Sequence, residues 1–500
     1  MSVKCAISWR CLQLAARCQN GDMELLEGLV RRAGSSDHSA LVTVGDESLS
    51  AESLLSLADA TAERIRGARA VAVCATPSMN TVISIVAAVR AGVAIVPIAH
   101  DAGRSERDHI LNDSGAVAML GDHSWDDVAL PVVAVGGSGG SLATGEHADL
   151  NNAALIMYTS GTTGAPKGVL MPSAPIAACL DGLADAWQWT EEDHLVHGLP
   201  LFHVHGLVLG MLGSLRRGNR VSHTVRPTAE SYAAKMKQGA TLFFGVPTVW
   251  SRVVADAASA QALQGARAIV SGSAALPVSV FNDLQRLTGI TPLERYGMTE
   301  TMITLSTRID GERRPGHVGL PLHGVETRVR GDDGDLLVHD GESIGTLEVR
   351  GTTIGAGYLN RPDATADSTT PDGWFVTGDS AVIGEDGMHR IVGRTSLDII
   401  KSGGYKVGAG EVEASIAELP GVSEVAVVGV ADDDLGQRIE AVIVASDGIS
   451  VSADEVIAHV AAQLSIHKRP RNVHIVERLP RNALGKVQKA QIRASLEESS

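Results

Sequence analysis

The chain has 500 residues, of which 44% are hydrophobic and 20% charged, and its formal net charge is −16. That length exceeds one typical hydrophobic core, so two or more domains are expected, and the composition is that of a globular protein. So acidic a chain is a poor partner for nucleic acid or an anionic membrane surface, although local donors can still hold a phosphate.

Residues 1–22 carry Lys4, Arg10 and Arg17, with no sustained apolar stretch and no small-residue cleavage site, which speaks against a signal peptide. A more ordinary sequence begins at Met23, so residues 1–22 are expected to be a non-native or mis-assigned extension. From about Ala40, short β-branched runs alternate with Ala-rich helical patterns. Ala70 to Cys74, Val93 to Ile98, Ala154 to Tyr158, Leu242 to Phe244 and Ala268 to Ser271 read as buried strands. Ala178 to Trp187 and Ala229 to Lys237 have helical spacing, and the alternation predicts an α/β domain of largely parallel sheets. The most apolar stretch, Val82 to Ile98, is interrupted by Arg90, Gly92 and Pro97. It therefore reads as a buried helix followed by a strand, and no integral membrane association is expected. Cys5, Cys11 and Cys18 lie in the extension, while Cys74 and Cys179 sit in apolar surroundings. Nothing resembles a disulfide framework or a metal clip, which suits a reducing, cytoplasmic setting.

Between Gly316 and Gly393 the chain becomes dense in Gly, Asp and Thr, with turn pairs at Asp333-Gly334, Asp372-Gly373 and Asp386-Gly387. This predicts a small antiparallel, barrel-like subdomain. Beyond Arg394, a helix (Gly410 to Glu418), two strands (Glu424 to Val430, Glu440 to Ala445) and a helix (Ala453 to Leu464) make a compact α+β module.

The strongest chemical signal is Tyr158-Thr159-Ser160-Gly161-Thr162-Thr163-Gly164-Ala165-Pro166-Lys167-Gly168, directly after a buried strand. Hydroxyl residues interleaved with glycines allow backbone N–H groups and side chains to converge on a phosphate, and Lys167 adds a point charge. The string does not fit GxxxxGK[ST], so the usual P-loop fold is excluded.

This string resembles the core motif of the adenylate-forming superfamily, which includes acyl-CoA synthetases, firefly luciferases and the adenylation domains of peptide synthetases. The resemblance covers nearly the whole chain from about residue 40, with further motifs in the expected order. It implies an ATP-, Mg²⁺- and coenzyme A-dependent ligase acting on a small-molecule carboxylate. Thr159, Ser160, Gly161, Thr162, Thr163, Gly164 and Lys167 would cradle the nucleotide phosphates. In Arg295-Tyr296-Gly297-Met298-Thr299-Glu300, Thr299 would touch the α-phosphate and Glu300 would hold Mg²⁺, with Tyr296, Gly297 and Met298 beside the nucleotide. A hard cation at a carboxylate suits charge building on leaving pyrophosphate. Ser271-Gly272-Ser273-Ala274-Ala275 resembles the adenine-pocket segment, Asp379 would accept the ribose hydroxyls, and Arg394 would reach the ribose or a phosphate.

Leu479-Pro480-Arg481-Asn482-Ala483-Leu484-Gly485-Lys486 resembles the superfamily's closing motif, in which Lys486 would stabilise the adenylation transition state. The loop with Ser402, Gly403 and Gly404 would line the thiol passage after the small domain rotates. The implied organisation is an N-terminal domain over 23–393, a hinge at 394–398 and a mobile domain over 399–500. The hinge departs from the usual Arg-x-x-Asp by one residue, reading Arg394-Thr395-Ser396-Leu397-Asp398, so no single pivot residue is assigned.

Four strings resemble malonyl-CoA/methylmalonyl-CoA synthetases most closely: Phe202-His203-Val204-His205-Gly206, Ser271 to Pro277, Glu294 to Glu300 and Lys401 to Lys406. The resemblance implies that Arg295 faces the acyl pocket, where it could pair bidentately with a second carboxylate and would be a costly unpaired charge beside an alkyl chain. Malonate or methylmalonate is therefore the expected acid, with His203, His205 and Ser271 beside it and His203 also a catalytic candidate. The alternatives are an internal ion pair for Arg295, core histidines without a substrate role, and a medium- or long-chain fatty acyl-CoA or acyl-AMP ligase. Glu294 is a poor partner for Arg295, because neighbours on a strand face opposite ways.

Overall fold

The β-branched runs become strands because both of their faces are covered. In the computed structural model, which describes residues 25–121, 125–137, 142, 150, 152–159, 166–394, 398–402, 405–432, 434–446, 448–464, 468–481 and 487–498, Ala70–Cys74 and Ala94–Ile98 are buried along their entire length. They belong to a six-stranded sheet in the order 132–133, 119–120, 70–74, 94–98, 153–159, 167–172. A nine-stranded sheet runs 320–321, 302–306, 293–298, 268–271, 242–245, 194–197, 220–223, 40–44, 47–50. Its central neighbours pair in parallel, and antiparallel partners close its margins.

One apolar core joins the two sheets through the helices Ala51–Ile65 and Met79–Ala91. The second helix is buried on nearly every side, which explains why it looks like part of a membrane span in sequence. Ser78 caps its start by accepting from Thr81 N–H, and Gly92 ends it at φ 65°. Among the described residues no helix is long and apolar enough to cross a membrane. Cys74 and Cys179 are free and buried.

The Gly- and Asp-rich stretch folds as a four-stranded antiparallel meander, 325–330, 345–351, 375–383 and 389–394. Gly334, Gly373 and Gly387 take φ of 88°, 82° and 80°, the left-handed values that the Asp-Gly turns require. The last module is a five-stranded sheet with its own core and the helices Ala409–Ala417 and Ala453–Gln463. Four of its elements escape sequence reading, the short strands Ile399–Ser402, Tyr405–Gly408 and Asn472–Ile475 and the final helix Lys489–Glu498.

After strand His194–His197 the chain forms a π-helix, Val204–Leu212, continued by Gly213–Arg217. Trp187, Trp189 and Phe244 pack beside it with ring centroids 5.5 to 6.2 Å apart. The close approach needs glycine: a Cβ on Gly213 would lie 2.6 Å from Trp189 Cη2. Gly213→Ala should therefore lower stability by about 1–3 kcal/mol through overpacking, seen as a lower urea midpoint with unchanged m-value.

Candidate active site

Several of the predicted site residues follow the carboxyl ends of strands, where open α/β sheets bind ligands. His203 and His205 follow strand His194–His197, Ser273 follows Ala268–Ser271, and Thr299 and Glu300 follow Leu293–Met298. In the other sheet, Ala153–Thr159 and Lys167–Pro172 are antiparallel, with Thr159 paired to Lys167, the two residues that flank the predicted phosphate loop. Ser160, Gly161, Thr162, Thr163 and Gly164 lie outside the described residues. Both ends of the loop are held by helix Arg104–Ser114. Tyr158 Oη donates to Asp113 Oδ2 at 2.8 Å, and His109 Nε2 lies 2.8 Å from Pro166 O.

Asp379 and Arg394, the predicted ribose contacts, stand opposite each other on neighbouring antiparallel strands. Arg394 Nε is 3.0 Å from Asp379 Oδ1, and Tyr296 Oη donates to Oδ2 at 2.5 Å. Each carboxylate oxygen keeps lone-pair capacity for a further donor. Burial raises the Asp379 pKa while Arg394 and Tyr296 oppose that shift. Tyr296 sits beside a bulge, and at the next residue a Cβ on Gly297 would fall 1.8 Å from Met302 O, so only glycine fits.

Thr299 is half-buried in the turn, and Glu300 is buried at its end. Tyr358 Oη donates to Glu300 Oε1 at 2.8 Å, and the Lys167 ammonium lies 5.0 Å from the centroid of the Tyr358 ring. Glu300 Oε2 has no hydrogen bond among the described residues. No group of three His, Cys, Asp or Glu side chains that could hold a metal occurs among them. One free carboxylate oxygen beside a phosphate loop fits Mg²⁺, which keeps waters and takes substrate phosphates rather than an all-protein cage.

Arg295 is 6% exposed. Its Nη2 reaches Ser273 Oγ at 3.5 Å, Nε has no hydrogen-bond partner, and no carboxylate pairs with it among the described residues. Burial lowers its pKa to about 10, which leaves it charged at neutral pH. His205 is buried beside it, with Nδ1 3.4 Å from Ser273 Oγ, Nε2 unpartnered and its ring 5.6 Å from that of Phe244. Burial first, then the charge of Arg295, hold His205 well below the usual imidazole range, so it is neutral. Ser271 Oγ is likewise buried without a partner. Gly272 makes room for the guanidinium, because a Cβ there would be 2.4 Å from Arg295 Nε. Ser273 takes φ 72°, a conformation rare for a residue with a side chain, and it is exposed together with Ala274. His203 is exposed at the start of the π-helix, its ring 4.6 Å from Phe202, so His205 rather than His203 faces Ser273.

Ser402 is buried at the end of one strand of a hairpin, Ile399–Ser402 with Tyr405–Gly408; Gly403 and Gly404 lie outside the described residues. Lys486 and hinge residues 395–397 also lie outside them, as do residues 1–22. The two ends of the predicted hinge are tied together: Asp398 N–H donates to Arg394 O at 2.8 Å, and Arg394 N–H donates to Asp398 Oδ2 at 3.0 Å. Lys489, which sequence reading missed, lies 2.6 Å from Asp398 Oδ1 and 2.8 Å from Glu413 Oε1. Tyr358 was also missed; its signal is a lone aromatic among the glycines of Gly355-Ala356-Gly357-Tyr358.

The sequence matches the AMP-binding enzyme family over residues 30–359 and the AMP-binding enzyme C-terminal domain over residues 411–486. It is 34% identical to a malonate–CoA ligase of Arabidopsis thaliana, covering 87% of this chain and 79% of that one. A mitochondrial malonate–CoA ligase of Homo sapiens is also 34% identical, with 85% and 82% covered. Among solved structures, a malonyl-CoA ligase ternary product complex with methylmalonyl-CoA and AMP is 48% identical, covers 91% of this chain and 99% of that one, and has a TM-score of 0.68. ATP-bound MatB from Rhodopseudomonas palustris is 30% identical, with 95% and 99% covered and a TM-score of 0.85.

Glu294, the neighbour of Arg295, points away from it and is 4% exposed, and burial pushes its carboxyl up from about 4.5 to about 8. A raised carboxyl pKa favours folding fully below the unfolded value, and that contribution is lost as pH rises through the folded value. Wild-type Tm should therefore fall relative to Glu294→Gln between about pH 4.5 and about pH 8, in thermal melts across that window.

Proposed function

The chain belongs to the AMP-binding enzyme family, and on that premise we propose that it joins malonate or methylmalonate to coenzyme A at the expense of ATP. The observation that carries this reading is the Arg295 guanidinium, buried and without a carboxylate among the described residues. A buried, unpaired cation is costly, and a second carboxylate on the substrate would supply the missing partner. The unpartnered Nε2 of His205 beside it suits a polar acyl end. The fatty-acid alternative leaves these atoms facing an alkyl chain and is not favoured by the two malonate–CoA ligases to which the chain is 34% identical.

In the first step, a substrate carboxylate oxygen attacks the ATP α-phosphorus and the bond to pyrophosphate breaks, giving acyl-AMP. Asp379, with Tyr296 and Arg394, is assigned to the ribose, Ser273 and Ala274 to the adenine, and Thr159 to Lys167 to the phosphates. Thr299 is assigned to the α-phosphate, and Lys486 to the charge that develops in the transition state. Mg²⁺, when bound at Glu300, would neutralise charge on the leaving pyrophosphate. In the second step, the thiolate of coenzyme A attacks the acyl carbonyl and AMP leaves.

We assign residues 23–393 to the adenylate-forming domain, 394–398 to the hinge, and 399–500 to a domain that turns between the steps, bringing the loop of Ser402, Gly403 and Gly404 to the thiol. The fit to the ATP-bound relative, closer than the fit to the more identical product complex, supports such a change of arrangement. A reducing compartment, proposed to be the cytoplasm, suits the free thiols of Cys74 and Cys179.

Purified protein offered ATP, Mg²⁺ and coenzyme A with malonate, methylmalonate, acetate, octanoate or palmitate should give thioester with the dicarboxylates alone, read by mass spectrometry. Thioester from the fatty acids alone would overturn the assignment. Arg295→Ala should lower kcat/KM for malonate by about two to three orders of magnitude, since truncating one partner of a buried charge pair costs roughly 2–5 kcal/mol. Lys486→Ala should abolish pyrophosphate release while sparing thioester formation from supplied malonyl-adenylate. Equal loss of both half-reactions would refute that division of labour.

A further inference from the structure

Tyr358 lies outside every motif that points to the nucleotide, yet it touches two of the residues that those motifs supply. It sits on a short strap, residues 355–360, that runs beside the strand leaving the phosphate loop. Leu170 N–H donates to Gly357 O at 2.9 Å, Ala356 N–H to Leu170 O at 2.9 Å, and Leu359 N–H to Gly168 O at 2.7 Å. At one end, Gly355 N–H donates to the carbonyl of Glu300 at 2.8 Å. A Cβ on Gly355 would come within 3.0 Å of Leu170 O and 3.1 Å of Glu300 O, so the strap is wedged between the strand and the Glu300 turn. At the other end, Asn360 Nδ2 donates to Asp113 O at 2.9 Å and to Asp113 Oδ1 at 3.1 Å, the same side chain that accepts from Tyr158 at the entry of the loop. The strap thus ties together both strands of the phosphate-loop hairpin and the turn that carries Glu300.

We propose that Tyr358 is a positioning residue for nucleotide binding, its hydroxyl fixing one oxygen of Glu300 and its ring face holding the ammonium of Lys167. The contacts are the 2.8 Å hydrogen bond to Glu300 Oε1 and the 5.0 Å approach of Lys167 Nζ to the ring centroid. With Oε1 engaged, Oε2 is the oxygen turned to a metal, and the carboxylate does not have to be ordered when the cation arrives. The ring attracts the ammonium through its negative face, which keeps Lys167 extended beside the loop rather than paired with Glu300 itself. One side chain in this way separates the cation and the anion that must act on the same triphosphate. The inference rests on the assignment of Mg²⁺ to Glu300 made above.

The test is binding of a non-hydrolysable ATP analogue, followed by calorimetry over a series of Mg²⁺ concentrations with the full-length protein. Tyr358→Phe keeps the ring and removes the hydroxyl, and it should raise the Mg²⁺ midpoint about tenfold, the lower end of what outer-shell partners of metal ligands contribute. In a Glu300→Gln background the same change should have no further effect. Tyr358→Leu should in addition weaken metal-free binding of the analogue about two- to fivefold, the range of an exposed cation–π contact. A Mg²⁺ midpoint unmoved by Tyr358→Phe, or moved equally with and without Glu300, would overturn the inference, and the cycle decides the hydroxyl's role even if Tyr358→Leu fails to fold. A Glu300→Gln midpoint equal to that of wild type would instead overturn the metal assignment, and the inference would fall with it.

Discussion

An arginine cannot be deprotonated to escape burial, so the Arg295 guanidinium sets the terms for everything packed around it. Gly272 has no side chain because the guanidinium occupies that space. Ser273 adopts a left-handed backbone and turns its hydroxyl toward both Arg295 and His205. His205 stays neutral beside the charge, and Glu294 faces the other way with its proton held by burial. A protein that only had to be stable would use an apolar residue at this position, since replacing buried ions by packed hydrophobic side chains is often neutral or favourable. The arrangement makes sense when an anion from outside completes it.

The nucleotide side depends on a different constraint, the joining of separately folded sheets. Tyr296 comes from the nine-stranded sheet, Asp379 and Arg394 from the meander, and Lys167 from the six-stranded sheet. The Tyr296–Asp379 hydrogen bond joins the nine-stranded sheet to the meander, and Lys167 meets the ring of Tyr358, whose hydroxyl donates to Glu300, so the contacts between these elements lie among the residues proposed for the nucleotide. The Tyr296–Asp379–Arg394 group is thus a structural joint made of the same atoms that are proposed to bind the ribose.

Much of this was legible in the residues. Buried strands announce themselves by unbroken β-branched runs, and the Asp-Gly pairs of the meander mark turns because left-handed backbone is cheap only for a few residues. Arg295 was legible because strand alternation separates it from Glu294. What stayed hidden depends on contacts distant in sequence. Tyr358 gains its meaning from a strap lying against a strand some 190 residues earlier. Lys489 looks like any surface lysine until a helix places it beside Asp398 and Glu413. His203 and His205 look alike in sequence, and the π-helix turns them to different surroundings, one exposed and one buried.

The rings behind His205 bear on how such a pocket can change over evolutionary time. Phe244 touches His205 and is itself braced by Trp187 and Trp189, which are buried in the main core. In the proposed acyl pocket, room for a longer acid in that direction would require removing one of these rings. Each such loss costs about 3–5 kcal/mol, against a total folding stability of about 5–15 kcal/mol. The depth of the pocket and the integrity of the core are therefore one property. Drift toward longer acids on this side would have to pass through poorly folded ancestors, or wait for stabilising changes elsewhere in the chain.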